Sequence, residues 1–195
     1  MSGSYSNGEI EESMEVVVGT RDIPRDQMLN LMVWNSFIQT FHVNGLTTYI
    51  ARYMASQGVD YQEFYNRLWE YLQQDPWWQQ QFASTRKLYQ EWIGAGRVNV
   101  KVGDIDVPGW HLHNHTTLLL QAENKISQTY NLIYQFMLKH FDISCAAQLV
   151  EFQRSTVIDH ARLSKLPEQK SFDWDFWGFL VHGTELNKSV CYQFD

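Results

Sequence analysis

The fold is decided by residues 28–53, whose sequence is MLNLMVWNSFIQTFHVNGLTTYIARY. Apolar side chains recur along this stretch at spacings of mostly three and four residues, which is the period of an amphipathic α-helix. Gly45 interrupts the pattern, and a glycine costs about 1 kcal/mol relative to alanine inside a helix. Residues 25–56 therefore form either one helix with a weak point or two helices, and we favour two that meet near Gly45.

Capping residues mark further helices along the chain. Asp60 and Glu63 form a variant of the capping box, and Asp75 followed by Pro76 is a strong signal for a helix start. Residues 117–141 then repeat the helical period without interruption. These signals predict helices after each of the two aspartates and a long helix in the second half of the chain.

Short β-branched or alternating segments predict strands at residues 14–20, 97–102 and 189–194. The sequence thus predicts a mainly α fold of about six or seven helices, with a small β element of about three short strands. Residues 1–12 are expected to be a flexible linker or the beginning of the expressed chain. Residues 13–195 are expected to form a single helical domain.

The composition describes a packed, acidic protein. Of the 195 residues, 44% are hydrophobic, 15% aromatic and 19% charged, which excludes a disordered or collagen-like chain. The net charge of −7, with no basic stripe, argues against nucleic acid as a partner. The longest apolar run, residues 176–181, is far shorter than the about 20 residues of a membrane span, so no membrane association is expected. Because the N-terminus lacks the apolar region of a signal peptide, we expect a cytoplasmic location.

The sharpest local pattern is the alternation of His111, His113 and His115. Alternate residues of an extended segment project to one face, where three imidazoles could hold zinc or another divalent ion. The possible fourth ligands are Asp104, Asp106 and His140. The alternative is an aromatic, polar loop whose imidazoles bond to the backbone. Because the sequence specifies no fourth ligand, we expect no stoichiometric metal at this loop.

A row of polar side chains crosses the long apolar helix. Asn35, Gln39 and His42 follow one another at spacings of four and three, so a regular helix presents them on one surface, beside Trp34. Buried polar groups without partners cost about 1 to 3 kcal/mol each. The row is therefore either a hydrogen-bonded seam between helices or a face that lines a cleft or docks on another domain. We treat Trp34, Asn35, Gln39 and His42 as the candidate cleft or docking face.

Motifs of the common enzyme classes are missing from the sequence. It contains no GxSxG nucleophile elbow, no P-loop and no GxGxxG dinucleotide motif. Ser144 and Ser155 lie in helical regions and have no identifiable base. We therefore assign no catalytic and no cofactor-binding residue.

Three segments of the chain resemble one known family. Residues 15–20, 28–53 and 61–65 are similar to the region C-terminal to the catalytic barrel in cobalamin-binding-domain radical S-adenosylmethionine enzymes. The resemblance extends to Phe172–Asp175, and its distinctive part is residues 28–65. In such enzymes a Rossmann-like domain holds the corrinoid, and a barrel holds a [4Fe-4S] cluster through a CxxxCxxC motif.

This chain departs from the family pattern at both cofactors. Its two cysteines, Cys145 and Cys191, lie far apart, and it has no DxHxxG corrinoid-ligand motif. Because such a cluster needs three thiolates, the resemblance implies cobalamin, S-adenosylmethionine and the iron–sulfur cluster only for a parent enzyme. None of the family's catalytic residues matches a position here. The stretch that contains Trp34, Gln39 and His42 matches a sequence pattern of the family, but no role is assigned to that pattern.

Three classes of function stay open. The resemblance implies a non-catalytic accessory domain of a cobalamin-dependent radical SAM enzyme, which covers or positions substrate beside the barrel domain of its own polypeptide. The alternatives are an independent metal-binding protein or hydrolase built on His111, His113 and His115, or a helical protein–protein interaction module. Metal content separates the hydrolase from the others, and the upstream reading frame separates the accessory domain from the interaction module.

Anaerobic reconstitution with iron and sulfide tests the accessory-domain interpretation. We expect no stable cluster absorbance at about 400 nm and no reductive cleavage of S-adenosylmethionine, because two distant cysteines cannot supply three thiolates. Absorbance spectroscopy and a chromatographic assay of S-adenosylmethionine measure the two outcomes. A stoichiometric cluster with cleavage activity would contradict the interpretation.

Overall fold

The chain folds as a mainly α protein with a small β element, as the sequence predicts. The computed structural model describes residues 2–6, 11–15, 17–95, 99–102, 104–108, 112–157, 163–186 and 188–195. The eight α-helices in these ranges are α1 (Arg25–Ile38), α2 (Thr48–Ser56), α3 (Tyr61–Leu72), α4 (Pro76–Ala95), α5 (Leu112–Ala122), α6 (Ile126–His140), α7 (Ala146–Ser155) and α8 (Phe176–His182).

The β element consists of three short antiparallel strand pairs among the described residues. The paired strands are β1 (Ser2–Ser6) with β2 (Glu11–Glu15), β3 (Asn99–Val102) with β4 (Ile105–Pro108), and β5 (Glu168–Phe172) with β6 (Val190–Phe194). The expected strands at residues 97–102 and 189–194 correspond to β3 and β6. Each of them pairs with a strand that sequence reasoning missed. The first hairpin draws on residues 1–12, for which the sequence predicts a linker.

The strand expected at residues 14–20 is wrong beyond Glu15. β2 ends there, and the described residues that follow have no regular secondary structure. The Thr20 hydroxyl accepts hydrogen bonds from the backbone N–H groups of Asp22 and Ile23, at 3.3 and 3.0 Å. Such a side-chain turn competes with strand pairing for the same backbone. The β-branched run therefore leads into a turn before α1.

The interruption at Gly45 separates α1 from α2, which confirms the expectation of two helices. α1 continues into a π-helical turn, Gln39–Val43, which we call the π-turn. In it the Asn44 N–H donates to the Gln39 carbonyl, five residues earlier, at 2.8 Å. Gly45 then adopts a φ of 85°, a left-handed conformation that glycine tolerates because it has no Cβ.

The side chain of Gln153 in α7 holds this junction. It is fully buried, and its amide oxygen accepts a hydrogen bond from the Tyr49 N–H at 2.6 Å. Its amide nitrogen donates to the Gly45 carbonyl at 2.6 Å. Because the first N–H groups of a helix have no partner within that helix, Gln153 caps α2 from a different helix. The Tyr130 hydroxyl adds a hydrogen bond to the Leu46 carbonyl at 3.0 Å.

Two helix starts follow the sequence signals closely. The Asp60 carboxylate accepts hydrogen bonds from the N–H groups of Gln62 and Glu63, at 2.7 and 3.3 Å. Asp75 accepts two such bonds at the start of α4, at 3.0 and 3.1 Å. Each carboxylate satisfies N–H groups of the first helical turn, so α3 and α4 begin where the caps predict.

The segment 117–141, expected as one helix, belongs to two, which raises the number of helices to eight. The break lies at Asn124, whose φ of 53° is in the left-handed region. Asparagine is one of the few residues besides glycine that adopt this conformation readily. The Lys125 N–H donates to the Leu120 carbonyl at 2.7 Å, as in a Schellman helix end. The apolar period alone could not reveal this break, because it continues across it.

The core consists of a large and a small cluster of buried apolar residues. The large cluster contains the fully buried aromatic residues Phe41, Phe64, Trp78, Phe136, Phe152 and Phe176. The small cluster contains Leu29, Val33, Tyr89, Ile93 and Leu112. Since α1 and its π-turn contribute to both, the stretch that decides the fold also joins the two clusters. No helix in the described ranges combines the length and the apolar character needed to cross a membrane.

Replacing Gln153 with alanine tests the buried cap. We expect the free energy of unfolding to fall by about 3 kcal/mol, because the change removes a fully buried side chain and leaves the half-buried Tyr49 N–H and Gly45 C=O groups without this partner. Urea denaturation measures the loss. The matched control is Gln135→Ala, at an exposed position of α6, which should change stability by less than about 0.5 kcal/mol. Equal effects of the two substitutions would contradict the role of Gln153.

Candidate functional site

The candidate residues Trp34, Asn35, Gln39 and His42 do not share one surface. Trp34 and Asn35 lie on α1, whereas Gln39 and His42 lie on the π-turn. A π-helix has more residues per turn than an α-helix, so the spacing of four and three no longer returns to the same face. The structure brings Trp34 and His42 together and separates Asn35 from them.

Trp34 and His42 line a cleft of about 420 Å³ between α1 with its π-turn and the first half of α3. We call it the His42 cleft. Its walls include Trp34, Ile38, His42, Tyr61, Tyr65 and Asn66. Tyr61 is 41% exposed, so an aromatic ring is open to solvent at this cleft. Gln39 is not among the lining residues.

His42 is held by a chain of hydrogen bonds. Its Nδ1 lies 2.8 Å from the Tyr65 hydroxyl, which lies 3.3 Å from the hydroxyl of Thr47. The Thr47 hydroxyl donates to the Phe41 carbonyl at 3.0 Å. Because a hydroxyl has one proton, we infer that Thr47 accepts from Tyr65 and that Tyr65 accepts from His42 Nδ1–H. In this order a neutral His42 carries its proton on Nδ1 and keeps a lone pair on Nε2.

The rings and charges around His42 favour its neutral form. The His42 ring meets Tyr61 and Tyr65 edge to face, at centroid distances of 5.8 and 5.7 Å. Burial, and then the positive charge of Arg52, lower the pKa of His42 below its ordinary value. Burial also raises the pKa of the Tyr65 hydroxyl. The cleft is therefore lined by aromatic, amide and neutral imidazole groups.

This set of groups is suited to binding. Among the described residues that line the His42 cleft there is no carboxylate, no cysteine and no serine. What the cleft offers is flat aromatic surface and a hydrogen-bond acceptor.

Asn35 lies at a different groove. It lines a depression of about 310 Å³ together with Leu31, Met32, Tyr89 and Trp92, between α1 and α4. The Asn35 side chain is exposed. The residues predicted to form one face therefore lie at separate surfaces. Trp34 and His42 line the His42 cleft, and Asn35 lines the depression between α1 and α4.

The three-histidine loop is not an extended segment in the part that the structure describes. His111 lies outside the described residues, whereas His113 and His115 are in α5. Residues two apart in a helix point to nearly opposite sides, so the expectation of one common face is wrong for this pair. His113 is half-buried, and His115 is buried, which lowers its pKa. The region expected as a loop is helical from Leu112 onward.

The proposed fourth ligands are scattered. Asp104 and Asp106 are exposed near the β3–β4 turn, while His140 packs at the end of α6 against Tyr71 and Phe136. Within the described ranges, no group of three His, Cys, Asp or Glu side chains could hold a metal ion.

Sequence reasoning missed Tyr61 and Tyr65 as cleft residues. They are four residues apart in α3, directly after the Asp60 cap, so they lie near each other along one side of that helix. This spacing was a usable signal. What the sequence could not supply was the packing of α3 against the π-turn.

No protein-family model matches the chain, and a search of curated proteins finds no match either.

The pH dependence of stability tests the environment of His42. A histidine whose pKa is lowered by folding binds fewer protons in the native than in the unfolded protein, so the free energy of unfolding falls as the pH drops below about 6.5. Burial also lowers the pKa of His115 and of His140, so these two residues change stability with pH in the same direction as His42. We expect His42→Asn, which keeps a polar group near Tyr65, to reduce the slope between about pH 7 and pH 5.

Urea denaturation at a series of pH values measures this slope. The control is His182→Asn, at an exposed position near the end of α8. If the free energy of unfolding of His42→Asn depends on pH as steeply as that of the wild-type protein, the assignment is contradicted.

Proposed function

We propose that this chain is the non-catalytic C-terminal accessory domain of a cobalamin-dependent radical SAM enzyme, cytoplasmic, whose His42 cleft docks on the barrel and helps to cover or position the substrate. The proposal is supported by the overlap between the region of the family resemblance and the region that forms the His42 cleft. Residues 28–65 are the distinctive part of the family resemblance, and the same residues form most of α1, the π-turn, α2 and the start of α3, and they include all but one of the residues that line the cleft.

The chemistry of the cleft supports docking. Interfaces between proteins are enriched in aromatic residues, and the cleft presents the half-buried Trp34 and the exposed Tyr61. The neutral state of His42 allows its surroundings to be covered without the cost of burying a charge. Asn66 and Gln62 add amide groups that can form hydrogen bonds to a partner backbone.

The cofactors of such an enzyme do not fit this chain. Cys145 is buried in the core and Cys191 is exposed on β6, and two cysteines fall short of the three thiolates of a cluster. Cobalamin, S-adenosylmethionine and the cluster are therefore assigned to the other domains of the parent enzyme. No step of the reaction is assigned to a residue of this chain.

A helical protein–protein interaction module is the second candidate, and the same exposed aromatic surface favours it. The two candidates differ in the partner. An accessory domain binds the barrel domain of its own polypeptide, whereas an interaction module binds a separate protein. The metal-dependent hydrolase is not proposed, because His113 and His115 do not share a face.

Binding to the barrel, supplied as a separate polypeptide, tests the proposal. The gene that encodes this chain is expressed in two parts, and the affinity of this chain for the remainder is measured by calorimetry. We expect Tyr61→Ala to weaken binding by at least about tenfold, because it removes an aromatic anchor of the interface. Leu138→Ala is the control, since Leu138 is 51% exposed and lies on α6.

Three outcomes would overturn the proposal. The first is a gene that encodes no DxHxxG and CxxxCxxC domains with this chain. The second is no binding between the two parts. The third is equal binding by the Tyr61→Ala and Leu138→Ala proteins.

A further inference from the structure

A larger groove runs between α1 and α4 and reaches the end of α3. Its volume is about 790 Å³, within the range of about 300 to 1,000 Å³ that small-molecule sites occupy. We call it the Arg86 groove. Residues that line it include Gln27, Trp34, Trp69, Gln79, Phe82 and Arg86.

One wall of the Arg86 groove is aromatic. The rings of Trp69 and Phe82 lie 4.2 Å apart, with an interplanar angle of 33°. Trp34 meets Trp69 edge to face at 5.5 Å. All three side chains are half-buried, so they are fixed by packing and keep part of their surface accessible. Such a wall favours contact with a flat, apolar ring.

Arg86 is the charged residue that lines this groove, and its guanidinium is incompletely paired. Its Nη2 lies 3.4 Å from Asp26 Oδ1, and the Asp26 side chain is 85% exposed. Ion pairs of this length with an exposed partner contribute little to stability. The Nη1 atom is buried and has no hydrogen-bond partner among the described residues. The exposed part of the Arg86 side chain therefore holds its charge in a weak ion pair, which an anion in the groove can replace.

A carboxylate is an anion suited to the guanidinium of Arg86. Arginine presents its N–H groups as a planar fork, which binds a carboxylate through two parallel hydrogen bonds. Among the described residues, none of those that line the groove is acidic, and Arg86 supplies its positive charge. The exposed amides of Gln27 and Gln79 can contribute hydrogen bonds to polar substituents of the ligand.

We propose that the Arg86 groove binds a small molecule in which a carboxylate is attached to a planar ring. The ring packs against Trp34 and Trp69, and the carboxylate takes the place of Asp26 on the guanidinium of Arg86. This site is separate from the His42 cleft apart from the shared Trp34, and the inference does not depend on the proposed accessory role.

Binding of 2-naphthoate and 2-naphthamide to the 195-residue chain tests the proposal. The two probes have the same ring system, but only naphthoate carries the negative charge. We expect naphthoate to bind at least about tenfold more tightly in equilibrium dialysis, because its hydrogen bonds to Arg86 are charge-assisted. Arg86→Gln should remove this preference. Asp26→Asn should tighten naphthoate binding severalfold, because it removes a competing carboxylate.

Lys87→Gln provides the matched control. It removes the same charge at the next position, where Lys87 is 76% exposed and 3.8 Å from Glu91, outside the groove lining. Naphthoate binding should be unchanged in this variant. If Arg86→Gln fails to fold, Asp26→Asn still carries the test, because Asp26 is exposed. Equal affinities for the two probes, an unchanged affinity in Asp26→Asn, or equal losses in the Arg86 and Lys87 variants would overturn the proposal.

Discussion

The structure depends on the amide side chain of Gln153 at the junction between the π-turn and α2. Peptide groups of Gly45 and Tyr49 at this junction have no partners within a helix, and they are half-buried. Gln153 satisfies them from α7, and Tyr130 binds the Leu46 carbonyl from α6. The same junction carries Thr47, which supports Tyr65 and through it His42. The core and the His42 cleft therefore share one set of buried hydrogen bonds.

Local signals predicted those parts of the fold in which a few neighbouring residues determine the backbone. Asp60 and Asp75 place their carboxylates on N–H groups two and three residues ahead, and Gly45 allows a left-handed φ, so each can be interpreted without the rest of the chain. Long-range partners could not be predicted in this way. Gln153 is more than 100 positions from the peptide groups that it binds. Nothing in its own neighbourhood distinguishes it from an exposed glutamine.

Some residues of the candidate site could be predicted from the sequence, but the surface that they form could not. Trp34 and His42 stand out in the sequence because polar and large aromatic groups interrupt an apolar helix, and they do line one cleft. Asn35 was grouped with them by assuming 3.6 residues per turn, which the π-turn breaks. The histidine alternation failed for the opposite reason, since the period of a strand was assumed where α5 is helical. In both cases the error lay in the backbone period, which packing determines.

The π-turn has a consequence for how related chains can be compared. A helix that accommodates one additional residue forms such a turn, and each residue advances an α-helix by about 100°. The wider turn at Gln39–Val43 therefore changes the direction of His42 and turns it toward α3 instead of leaving it in line with Asn35. In an alignment, a one-residue gap at this position would mark chains whose first helix is continuous and whose polar row stays in register. Chains without the gap would have the His42 cleft.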